Sequence, residues 1–127
     1  MPPPLVSYVE RRGPIVWAVP PPELSDEAID AILSALEEHL ARATPYVLLF
    51  DLTHAGMPNA LQRQKLAAHI RDNTPRIKHC VRGVGVILRS TLVRGVVTAV
   101  FWIAPPPVPH HLFTSRAEAI RWAESLV

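Results

Sequence analysis

The sequence predicts an α/β fold: one mixed β-sheet with a parallel centre, entered through an N-terminal β-hairpin and covered by about four helices. Three observations carry that expectation. Two short runs rich in β-branched and aromatic residues open the chain with only a turn between them, which reads as a hairpin. Beyond residue 24, strand-like runs alternate with stretches of helical period, the pattern of parallel strands joined by crossover helices. The run "YVLLF" at 46–50 is apolar at every position, as a central strand buried on both faces must be.

Each element has its own reason. "PLVSYVE" and "PIVWAVP" are the hairpin strands, with Arg11-Arg12-Gly13-Pro14 turning the chain between them. Ile29, Ile32, Leu33, Leu36 and Leu40 then recur at spacings of three and four, which makes an amphipathic helix. Ser25 suits its N-cap, and Asp26 and Glu27 favour the positive end of its dipole. The buried strand follows and leaves through Asp51, whose carboxylate can cap backbone amides just beyond the strand. Pro58 suits the first turn of the next helix, which runs through "NALQRQKLAAHIRDN" until Pro75 stops it, and "RDNTPRIKHCVR" reads as a basic loop.

"VRGVGVIL" is the next strand, with Gly83 and Gly85 on one face, where a helix can approach closely. The segment "STLVRGVVTAVFWIAP" is expected to split. A two-turn helix capped by Ser90 or Thr91 uses Leu92, Val96 and Ala99, and "AVFWIA" forms the last strand. "PPPVPHH" reads as an extended connector, and the other proline triplets, at 2–4 and 20–22, as short stiff connections. In the closing helix "SRAE" has the form of a capping box, and Ala119, Trp122, Ala123 and Leu126 form one stripe. The predicted crossovers are right-handed.

Composition narrows the function. A chain of 127 residues with 49% hydrophobic and 19% charged residues suits a single domain over 1–127 with one core. No apolar run reaches the ~20 residues of a membrane span, and the start has no signal-like pattern, so a cytoplasmic protein without membrane insertion is expected. The pI near 9.1 comes with a net charge of only +2 spread along the chain, which gives no footing for nucleic acid. Cys80 is alone, and His54, His79, His110 and His111 have no metal-ligand spacing, so neither metal nor cofactor is expected. "THAGMPNA" lacks the glycines and lysine of a phosphate loop. Thr53 and His54 are chain neighbours, which point apart, so no catalytic residue is assigned. Trp17, Trp102 and Trp122 are core aromatics or, where exposed, partner anchors.

The succession hairpin, helix, "VLLFDLTH", helix, "GVGVIL", helix, strand and closing "LFTSRAEAIRWAESL" resembles the STAS domain of anti-sigma-factor antagonists, and also STAS-like bacterial proteins related to lipid-binding SEC14 modules. The resemblance covers nearly the whole chain. It implies a non-catalytic regulatory module that binds a protein partner; separately, a sheet edge or an apolar helix face could pair two copies as a homodimer. The family's phosphorylated serine lies in an Asp-Ser-Ser-Gly signature at the start of the second helix. Alignment from Asp51 puts Asn59, Ala60, Leu61 and Gln62 there, so that serine is missing and Thr53 is the hydroxyl left in the loop. The expected partner-binding residues are Thr53, His54, Met57, Asn59, Gln62 and Arg63, with Gln64 and Lys65 beside them on an exposed helix face. The alternative is a small apolar ligand or lipid, with Gly83, Gly85 and Gly95 leaving room between helix and sheet.

Overall fold

A computed structural model describes residues 8–127. The first proline triplet and residues 4–7 of the expected first strand lie outside them. Strand β1 is Val9–Arg12 and β2 is Ile15–Ala18, joined by Gly13 and Pro14. Gly13 has φ of +59°, a left-handed conformation that a two-residue hairpin turn requires and glycine adopts without strain.

Helix α1 (Asp26–Ala41) is capped as expected, with the Ser25 hydroxyl accepting from the Ala28 amide. It leads to β3 (Tyr46–Asp51), then α2 (Ala60–Asp72), α3 (Thr74–Cys80), β4 (Val81–Ile87), α4 (Thr91–Ile103), β5 (His110–Phe113) and α5 (Arg116–Ser125). The five strands lie in sequence order, β1 antiparallel to β2 and every later pair parallel. The expected mixed sheet with a parallel centre is therefore present. Because the strands advance in one direction, crossovers of one hand put their helices on one face. Only α5, which follows the last strand, covers the other.

Side-chain alternation divides the core accordingly. Val16, Ala18, Tyr46, Leu48, Val84 and Val86 face α1 and α3, where they meet Ile32, Leu36, Leu40 and Ile77. Ile15, Trp17, Val47, Leu49 and Ile87 face α5, where they meet Ala119, Ala123 and Trp122. Gly83 and Gly85 belong to the second face: a Cβ on Gly83 would lie 2.6 Å from Leu126 Cδ1 and 2.8 Å from Trp122 Cη2. The helix expected to approach these glycines is thus α5.

Three expectations are corrected. The basic stretch at 71–82 is largely helical, because Pro75 sits in the first turn of α3, where a missing amide hydrogen costs nothing. The segment from 91 to 103 is one 13-residue helix rather than a helix and a strand. Ser90 caps it as expected, but its inward stripe is Val93, Val97, Val100 and Phe101, and Leu92 and Ala99 are exposed. The last strand is "HHLF", set in the sheet by the Val84 amide bonding to Pro109 O and the Leu88 amide to Phe113 O, at 2.9 Å each. Helix α4 packs against α2 through Val100 and Ala104 on Ala67. Its outer surface exposes Leu92, Trp102 and Ile103, Trp102 at 85%.

Candidate functional site

The junction after β3 is built around Asp51, which is buried. Its Oδ1 accepts from the Thr53 amide at 3.0 Å and from the Thr53 hydroxyl at 2.5 Å, and its Oδ2 accepts from Arg116 Nε at 2.7 Å. The guanidinium lies 4.4 Å from the centre of the Trp17 ring. Burial alone would raise the Asp51 carboxyl, but hydrogen bonds from the Thr53 hydroxyl, Arg116 and the Thr53 amide outweigh it, so the group is held below the usual carboxylate range. Asp51 caps the strand exit as the sequence suggested. Arg116 is the addition: it starts α5 and ties that helix to the strand end. No local signal could have paired it with a residue 65 positions away.

The residues expected to bind a partner differ in exposure. His54, Met57 and Asn59 are exposed, and Thr53 and Arg63 are half-buried. Gln62 is a correction: it is buried, with its amide spent inside the chain. Its Oε1 accepts from the Asn59 amide and its amide hydrogen bonds back to Asn59 Oδ1, while Nε2 donates to Leu24 O and Asp26 Oδ1. The Asn59-x-x-Gln62 spacing is a capping box that also ties the start of α2 to the start of α1. Arg63 donates to Pro58 O at 3.0 Å, and Lys65 pairs with Asp30 at 2.9 Å. The loop itself is pinned to the second proline triplet. The Gly56 amide donates to Pro21 O at 3.0 Å, and a Cβ at Gly56 would lie 2.2 Å from Pro22 O, so only glycine permits the approach.

This loop forms one rim of a cavity of about 160 Å³ between the sheet and helices α1, α2 and α4. Leu48, Phe50, Val84 and Val86 supply its floor, Ile32 and Leu36 one wall, and Val93, Val97 and Phe101 of α4 the opposite wall. Pro20, Ala55, Gly56 and Pro58 close the loop side. The lining is almost wholly hydrocarbon; its side chains with polar atoms are Tyr46 and His69. Burial pushes the Tyr46 hydroxyl up to about 12. Burial also lowers the His69 imidazole below 6.5, against the pull of Glu37 and with help from Arg76.

Gly83, Gly85 and Gly95, expected to leave room for a ligand, play no part in this space. Gly83 and Gly85 are on the opposite face, filled by Leu126, Trp122 and Phe113, and Gly95 borders open solvent. The remaining singled-out residues have local roles. Cys80 is buried, with its thiol 3.9 Å from Leu40 O. His111 packs against Phe113 with ring centres 4.9 Å apart, and His110 Nδ1 lies 3.0 Å from Val108 O. Among the described residues, no three His, Cys, Asp or Glu side chains come together to hold a metal ion, and no helix is long and apolar enough to cross a membrane.

An ordered five-stranded sheet, its hairpin edge and its helices on both faces define a STAS-like, SpoIIAA-like fold. A solved structure similar to the chain is the crystal structure of an uncharacterized protein from the DUF3478 family with a SpoIIAA-like fold, from Shewanella loihica. The two share 22% identity and a TM-score of 0.58 over 91% of this chain and 90% of that one. No protein-family model matches the sequence, and no curated protein does. Likeness at this identity carries the fold and leaves function to the site.

Proposed function

We propose that this chain is a non-catalytic, cytoplasmic STAS-like domain that binds a small apolar molecule between its sheet and the helices α1, α2 and α4. The cavity carries this reading. Well-packed cores leave few voids larger than a water molecule, and an apolar cavity of about 150 Å³ stays dry and takes up benzene-sized ligands. Here about 160 Å³ lies beneath a helix, α4, that keeps a single buried side chain, Val100. The absence of catalysis is supported by the junction: Asp51 and Thr53 are held by Arg116 and by each other, and among the described residues the His54 ring has no hydrogen-bond partner.

Native mass spectrometry of protein from its own host tests this. An added mass that organic extraction removes, with a toluene-dependent rise in Tm afterwards, is the expected result. A bare mass together with a Tm indifferent to saturating toluene overturns it.

A second reading is that the loop and the start of α2 dock a protein partner, a second copy included. It is supported by Met57 and Leu61, large apolar side chains that are 42% and 72% exposed beside the loop. In that case Leu61→Glu abolishes a complex that the wild type forms in native extract or with itself; unchanged complexes refute it.

A further inference from the structure

The cavity holds one polar group whose hydrogen-bonding sense the surrounding side chains dictate. Asn73, buried at the end of α2, receives Arg76 Nη2 on its Oδ1. Its Nδ2 must therefore face His69, where it donates to the backbone oxygen at 2.8 Å and lies 3.3 Å from the ring Nδ1. Because an amide nitrogen offers only hydrogens, His69 Nδ1 has to accept, and the ring proton of the neutral imidazole belongs on Nε2. A second proton on Nδ1 would set two donors against each other. Among the described residues Nε2 has no partner, and the ring borders a space otherwise lined by hydrocarbon.

We infer that His69 Nε2–H is the recognition point of the cavity, and that the ligand is an apolar molecule bearing one hydrogen-bond acceptor, such as a carbonyl or ester oxygen. This rests on the apolar-ligand reading above and adds its polar half. An acceptor there pairs a donor to which no described residue offers a partner, whereas a purely hydrocarbon ligand leaves it unpaired and shuts it off from water. The Tyr46 hydroxyl, the other polar group in the lining, can both donate and accept and so selects no sense of its own.

Acetophenone and α-methylstyrene make the test, since they match in shape and differ in C=O against C=CH₂. Their affinities are measured by calorimetry on wild type, His69→Leu, His69→Gln and Tyr46→Phe. The expected result is that His69→Leu weakens acetophenone about tenfold and leaves α-methylstyrene within about twofold, while His69→Gln, which keeps a donor, retains most of the affinity. Equal losses for both probes, or a selective loss in Tyr46→Phe instead, overturn the assignment to His69 while leaving the cavity a ligand site. No binding of either probe to wild type overturns the apolar-ligand reading itself. A measurement without substitution runs beside these: the Nε2–H signal of wild-type His69 moves downfield with acetophenone and stays in place with α-methylstyrene, and an unmoved signal under saturating acetophenone contradicts the proposal.

Discussion

The two faces of the sheet are filled by opposite means. One ten-residue helix, α5, covers the face of Val47, Leu49 and Ile87, and it seats so closely that Gly83 has no room for a methyl group, while Leu49 of the neighbouring strand crowds Gly85. The other face has four helices above it and still encloses about 160 Å³. The number of helices does not decide how well a face is packed; what matters is whether small residues let a helix descend onto the strands. On the α5 face, Ala119 and Ala123 meet the glycines' side of the sheet, and the Arg116–Asp51 pair fixes the helix start. On the opposite face α4 rests on α2, and the valines of α4 and β4 face each other across the cavity.

Adding volume to each face should therefore have opposite effects. The largest change is expected on the tight face, where Gly85→Val forces a side chain into Leu49 Cδ2, only 2.6 Å from the added Cβ, and lowers stability by about 3 kcal/mol in urea unfolding. Gly56→Ala comes next. Its added carbon meets backbone oxygen rather than a flexible side chain, but the rim loop can shift, so a loss of about 2 kcal/mol and a wider cavity mouth are expected. Asp51→Asn removes the charge that Arg116 and Thr53 satisfy and should cost about 1.5 kcal/mol, read in the same way. The smallest effect is on the loose face, where Val97→Leu adds one methylene to empty space and raises stability by up to about 0.8 kcal/mol. Destabilisation there would show that the cavity closes in solution.

Acid separates the faces as well. His69 is lowered from 6.5 and Asp51 from 3.8 on folding, so for each group the unfolded chain takes up its proton first and stability falls as pH falls. The His69 contribution is present above 6.5 and fades below it, and the Asp51 contribution is lost only below 3.8. Stability followed from pH 7.5 downward should decline in two stages. The first is smaller in His69→Gln, which leaves the share of His39, also lowered from 6.5 by burial, and the second is absent in Asp51→Asn.

How far the sequence could be read follows the same physical lines. Helices α1 and α5 were legible because cap and stripe agree: Ser25 and Ser115 accept from the amides three residues on, and Ile29, Ile32, Leu36, Ala119 and Ala123 are all buried. The centre of the sheet was legible because "YVLLF" has no polar position to expose. Helix α4 was hidden because valine and phenylalanine satisfy strand and helix patterns alike, and only tertiary packing on α2 decides between them. Strand β5 was hidden because two histidines after a run of prolines have no strand signature, and its pairing with Val84–Ile87 comes entirely from β4.

At the site, Asp51 was legible as a local cap and Arg116 was not, because an ion pair across the fold leaves no spacing to read. Gln62 had a readable role, the capping box with Asn59, that a surface interpretation overlooked. The glycines show the limit most clearly. Their alternation gave the right conclusion, a close helix, and the wrong one, room for a ligand, because parity along a strand says that two residues share a face without saying which face is empty.

The most direct measurement is a methyl NMR titration of the wild-type protein with toluene. The account predicts saturable shifts at Leu36, Val84, Val86 and Val97, and unmoved methyls at Val47, Leu49 and Leu126 on the α5 face. Shifts that fail to saturate, or that arise on the α5 face instead, would contradict it.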